Sequence, residues 1–201
     1  MWGEGPDGPL DELLRRFERA HDELGATDDE RHFCGLYLRS TLAMRQELHD
    51  GGFRDGEWVA RLTAAFAARY LDALAAWRAG GPVPGPWRLA LAERPGTPPL
   101  VHQLVGLNAH LNFDLPQVLL DVLSPADLAD AARLALRHRD FHHVDEVMLR
   151  RIPEETRRLR ALGDPVVGGP LGHLLYPLNL LASRRWVAGA RRLVWCNAGE
   201  L

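Results

Sequence analysis

Along most of the chain, apolar residues recur every three or four positions, the spacing of helices with one buried face. The first stripe is Leu10, Leu13, Leu14, Phe17, His21 and Leu24, and Gly25 stops it. His21 falls on the apolar face, either as a core histidine with a backbone partner or as a group that points into a pocket. A second helix is expected from an N-cap at Asp28 or Asp29 to about His49, where Gly51 and Gly52 end it. Its inward stripe holds Phe33, Leu36, Tyr37, Ser40, Thr41, Met44 and Leu48, with the two hydroxyls expected to bond back to the preceding turn. A third helix follows from Asp55, with Val59, Leu62, Phe66, Tyr70, Ala73 and Trp77 in register, and closes at Gly80 and Gly81. Arg69 and Asp72 flank that stripe three residues apart, a spacing at which they can pair. Prolines at 82, 84 and 86 then forbid a helix until Trp87 opens a short one.

The stretch from Thr97 to Leu120, TPPLVHQLVGLNAHLNFDLPQVLL, differs from these. It is apolar almost all the way round, which predicts a buried central helix capped at Thr97 with Pro98 in its first turn. It nevertheless carries His102, Asn108, His110, Asn112 and Asp114. Burying such groups costs roughly 1–3 kcal/mol each unless they are hydrogen-bonded, paired or metal-bound. His110 and Asp114 are four apart and share a face, with His102 roughly 80° away at 3.6 residues per turn. Pro116 cannot bond to the carbonyl of Asn112, so the helix must kink or restart. In a restart, Asp114 becomes an N-cap, a role that needs no chemistry.

Ser124-Pro125-Ala126-Asp127 is a capping box that opens a long helix towards Ile152. Leu134, Phe141, Val144, Val147, Met148 and Ile152 make its inner face, and Asp140 falls among them. His138 and His142 fall on the opposite side, where a solvated face explains them more simply than a metal. Pro153 to Arg160 reads as charged and exposed, and GDPVVGGP as a loop. The C-terminal residues from Leu171 read as one or two apolar helices. No repeat, heptad run or long strand alternation interrupts the pattern. The expectation is an all-α, single-domain helical bundle around the helix at 97–120.

Composition narrows the chemistry. The formal charge is −3, and no basic block marks a nucleic-acid partner. All 24 cations are arginine, which excludes a lysine Schiff base and a phosphate-loop lysine. The two cysteines, Cys34 and Cys196, lie far apart with no metal spacing. No signal-peptide pattern and no apolar run near the roughly 18 residues of a membrane span is present. These features point to a soluble, cytoplasmic protein with a small-molecule partner, and apolar C-terminal helices would favour a homodimer.

FCGLYLRST, WVARLTAAFAARYLDALAAW with VPGPW, HQLVGLNAHLNFDLP, RDFHHVDEV and the RRLVWCNAGEL tail follow one another through nearly the whole chain. Together they resemble a mainly actinobacterial family, the domain of unknown function 5995. By that resemblance His102, Asn108, His110, Asn112 and Asp114 match the family's polar block, and Asp140 its later aspartate. Asp145 departs from it, standing where the family pattern has asparagine. The family brings no reaction with it.

Three roles are open to these residues. In cofactor-free acid–base catalysis, His110 would move a proton, Asp114 would orient it, and Asn108 or Asn112 would hold a developing oxyanion. A cyclase, isomerase or lyase would work this way, with Tyr37, Tyr70, Trp77 and Arg69 expected around the substrate. In a metal-dependent hydrolase or oxygenase, His102, His110, Asp114 and Asp140 would ligate a divalent transition metal, although no HExxH motif is present. In a non-catalytic binding protein the polar block would be a network that fixes helix packing. A non-covalent haem is a weaker variant, given nine histidines and no CxxCH.

Overall fold

Where the apolar stripes meet, two clusters of buried side chains form. The computed structural model describes residues 8–92 and 95–170, together with 185, 189, 191–193 and 195–196. Nine α-helices and no strand occur among the described residues. They are α1 (Pro9–Glu23), α2 (Glu30–His49), α3 (Gly56–Arg78), α4 (Gly85–Leu91), α5 (Pro99–Ala109), α6 (Leu115–Val122), α7 (Pro125–Ala129), α8 (Ala131–Ala161) and α9 (Pro165–Gly168). None of them is long and apolar enough to cross a membrane. Most of the C-terminal stretch expected to be helical lies outside the described residues.

One cluster joins the C-terminal end of α2 and the first half of α3 to α6 and α8, through Met44, Trp58, Leu62, Leu115, Leu119 and Phe141. The other joins α1, α2, the second half of α3, α4 and α5, through Phe17, Phe33, Tyr70, Leu74 and Trp87. Leu107 of α5 packs against both, so the helix at the centre of the sequence is also the seam of the core.

That central helix does not restart at Pro116, because its helical backbone runs on unbroken. Residues His110–Asp114 form a π-helical turn, in which the amide of Leu115 donates to the carbonyl of His110, five residues back. The wider turn accommodates Pro116, whose missing N–H and bulky ring would disrupt an α-register bond to Asn112. Asp114 has α-helical backbone angles and its side chain caps nothing, which removes the N-cap role considered for it. Thr97 does not cap either, because α5 begins at Pro99 after Pro98.

The central helix has one wet edge. Leu104, Asn108 and Asn112 are exposed, whereas His102, Gly106, His110 and Asp114 are buried. At about 100° per residue the two sets lie on opposite sides of the axis. Gly106 is needed on the inner face, because a Cβ there would sit 2.4 Å from Cγ of Phe33. The ring of Phe33 therefore rests directly on the helix backbone.

The segment after Ser124 also differs from expectation. The capping box forms, with Ser124 N–H donating to Asp127 at 2.9 Å, but α7 is one short turn. Asp130 then caps α8 by accepting from the amides of Ala132 and Arg133. α8 passes through Pro153 and continues to Ala161, with Glu155, Thr156 and Leu159 buried rather than exposed. A proline inside a helix costs about 3 kcal/mol, and burial of that last stretch against its neighbours offsets it. Asp164 caps α9 and also accepts from the amide of Leu100 at 2.7 Å, which ties the end of α8 to the start of α5.

Gly106→Ala should displace Phe33 and cost about 1–3 kcal/mol, the penalty of overpacking a filled core. Urea denaturation would measure it, and an unchanged midpoint would show that the helices separate freely at this contact.

Candidate functional site

The π turn and α4 together build a buried polar centre. His110 Nδ1 lies 2.8 Å from Asp114 Oδ2, and Trp87 Nε1 donates to the same oxygen at 2.9 Å. His110 and Asp114 are each 2% exposed and Trp87 1%. A carboxylate that accepts from Nδ1 fixes the neutral imidazole with its proton there and its lone pair on Nε2. Nε2 is buried and has no hydrogen-bond partner.

Aromatic rings enclose this imidazole. Phe66 stacks on it with centroids 3.4 Å apart and 5° between planes, and Tyr37 meets it edge-on at 4.4 Å. Burial disfavours the charged ring, so the pKa of His110 lies below its usual value, with Asp114 only partly opposing the shift. The Tyr37 hydroxyl is also buried without a partner, and burial holds its pKa well above the usual phenol value.

Both residues line a cavity of about 450 Å³ between α2, α3, the central helix, α8 and α9. Its walls are largely carbon, from residues such as Leu36, Met44, Leu62, Leu107, Met148 and Ile152. Ser40 and Thr41 line it too, with their hydroxyls bonded back to Leu36 and Tyr37 at 2.9 and 3.0 Å. The volume is that of a site for a small organic molecule.

The other residues singled out in the sequence stand elsewhere. Asn108 and Asn112 bond to each other at 2.8 Å on the exposed edge, so neither faces His110. His102 is buried, with Nε2 3.5 Å from Asp29 and its ring beside that of His32. Asp140 accepts from the backbone amides of Arg54 and Asp55 at 2.9 and 2.6 Å, and so pins the start of α3. Asp55 in turn caps α3 through Trp58 and takes Arg137, which also pairs with Asp127. Asp140 thus has structural partners of its own, and His102, whose buried Nε2 has the 3.5 Å approach of Asp29 but no hydrogen bond, stands apart from the His110–Asp114 pair. Among the described residues no group of three or more His, Cys, Asp or Glu side chains is placed to hold a metal ion.

Of the expected substrate contacts, only Tyr37 lines the cavity. Tyr70 packs between Phe33 and Trp87 in the core beside Cys34. Trp77 donates to Glu30 at 3.2 Å, and Arg69 pairs with Asp121 at 2.7 Å rather than with Asp72, which takes Arg16. His21 is half-buried beside Gly35 and Asp22, outside the cavity. Burial pushes the Cys34 thiol up to about 11, so it is no thiolate nucleophile. His138 and His142 meet at 3.0 Å through their Nε2 atoms, with Asp145 3.4 Å from the Nδ1 of His142.

The geometry also brings in Trp87, Phe66, Arg151, Glu155 and Arg191, none of which the sequence marked as belonging to the site. Trp87 is 27 residues from Asp114 and has no periodic relation to it, so only the fold joins them. The model of a family of unknown function (DUF5995) matches residues 10–201. The chain belongs to that family. No curated protein and no solved structure matches it. The family's name carries no activity, so the chemistry must come from the residues themselves.

Trp87→Phe keeps an aromatic side chain, removes one of the two donors on Asp114 Oδ2 and leaves a void where the larger indole packed. The expected loss is about 2–4 kcal/mol of stability in chemical denaturation, from the acceptor that loses a partner and from the void. A variant as stable as the parent would show that this bond does not hold Asp114.

Proposed function

We propose that the protein is a small-molecule enzyme that performs cofactor-free acid–base chemistry on an apolar substrate, of cyclase, isomerase or lyase type. The observation that carries the reading is the unpartnered Nε2 of His110, oriented by Asp114 on the wall of a largely apolar cavity. A polar atom left unsatisfied in a dry site is costly, and a substrate proton is what a basic ring nitrogen there can take.

His110 is the base in this mechanism. Its Nε2 accepts a proton from a carbon next to a carbonyl, and Asp114 stabilises the imidazolium that forms. Tyr37, kept protonated by burial, donates to the oxygen on which the negative charge collects, the role first expected of Asn108 or Asn112. The proton then returns to another atom of the same molecule, so no electrons are gained or lost. Phe66 and Tyr37 keep water from the imidazole, which favours return of the proton to substrate over loss to solvent.

Incubation with apolar ketones in deuterium oxide tests the reading, with exchange at the α-carbon followed by mass spectrometry. His110→Ala should reduce exchange by about 10²–10⁴-fold, the usual contribution of a positioned base, while the helical circular dichroism persists. A structural polar network predicts instead a variant that unfolds, with no exchange in the parent to lose.

The pH dependence has a definite sign. The base must be neutral, and burial lowers the pKa of His110, so activity should hold below pH 6.5 and fall only under more acidic conditions. Stability should also fall as the pH drops below about 6.5, because the unfolded chain then takes up a proton that the folded state resists. A rate that declines already above pH 7 would exclude His110 as the titrating group.

A further inference from the structure

The cavity wall has one charged patch. Arg151 and Glu155 of α8 both line it. Glu155 is saturated: Oε1 accepts from Arg39 Nε at 2.8 Å and Arg151 Nη2 at 2.9 Å, and Oε2 from Arg39 Nη2 at 2.5 Å. Arg151 Nη1 lies 3.6 Å from Glu154, whose carboxylate also accepts from Arg158 at 2.9 Å. Arg39 and Arg151 thus share Glu155, while the solvent-exposed Glu154 and Arg158 form an ion pair of their own, which leaves one positive charge in excess at the wall. Arg151 Nε, moreover, is buried and has no acceptor.

Arg191 also lines the cavity, but its charge is committed. It pairs with Asp145, donates to the carbonyl of Phe141 at 2.9 Å and lies over the Phe141 ring. Arg151 is the lining cation with a spare buried donor.

We propose that the cavity binds an amphipathic monocarboxylate, its apolar body along the carbon walls and its carboxylate on Arg151 Nε. This deepens the acid–base reading and rests on it for the claim that the bound acid is a substrate. A buried N–H donor on a guanidinium is satisfied most strongly by a carboxylate oxygen, through a charge-assisted bond. One excess positive charge matches a monoanion, whereas a phosphate dianion would leave a negative charge unpaired against carbon. Lining residues on α2 run from Phe33 to Met44, about 16 Å at the helical rise, which suits an extended apolar body better than a compact acid.

The test uses dodecanoate and methyl dodecanoate as probes, each titrated into the full chain by calorimetry. Dodecanoate should bind at least tenfold more tightly than its ester. In Arg151→Met that preference should disappear, with ester affinity unchanged. Arg151→Lys keeps a cation for Glu155 but has no Nε–H donor at that position, and it should weaken the preference if the methionine variant does not fold. His110→Ala should retain the full preference, so absence of exchange chemistry would sink the catalytic reading without touching this one. Equal affinity for acid and ester, no binding of either, or an intact preference in the position-151 variants would overturn the proposal.

Discussion

One carboxylate oxygen, Asp114 Oδ2, takes two buried donors, His110 from its own turn and Trp87 from α4. An unpaired carboxylate at that depth would be costly, so the two bonds stabilise the fold as well as build the site. They fix the imidazole on the cavity wall and dock α4 onto the central helix. The π turn makes this possible, because it passes Pro116 without a break and keeps both residues on the inner face. A turn of this kind is less favourable than α-helix and recurs at functional sites, where the surrounding structure maintains it.

Around this centre the polar groups divide by what they hold. Asp140, Asp55, Arg137 and Asp127 join the start of α3 to α7 and α8, with backbone amides and a guanidinium as partners. Asp164 joins α9 to α5. In these groups each carboxylate has donors from elsewhere in the chain, and none needs a ligand to complete it. His110 Nε2, the Tyr37 hydroxyl and Arg151 Nε differ from them, since all three are buried without partners on residues that line the same cavity. Trp58 Nε1, the Tyr70 hydroxyl and His102 Nε2 are also buried without a hydrogen-bond partner, but none of those residues lines the cavity.

The apolar pattern located α1, α2, α3 and the central helix to within a few residues, because each has one face that must leave water. It failed at proline. Pro116 and Pro153 both read as breaks, yet one sits just beyond a π turn and the other within a continuous helix. Tertiary burial on both sides offset the local penalty, and no local pattern reports that. Asn108 and Asn112 were misplaced for a different reason. Their angular positions, opposite His110 on a helical wheel, were available from spacing alone, but a helix apolar almost all round conceals which edge is wet.

The sequence by itself determined the helical class and the family, and it set His110 and Asp114 four apart on an apolar segment, whereas the fold decided that the helix runs on through Pro116 and pairs them. Only the tertiary structure decided what that pair meets. Trp87, Phe66 and Tyr37 reach it from three other helices, and Arg39 meets Glu155 across 116 positions of chain. Contacts of such separation follow from how helices pack, not from any periodicity within one of them. The cavity is the clearest case, since it is a space between helices and no single segment encodes it.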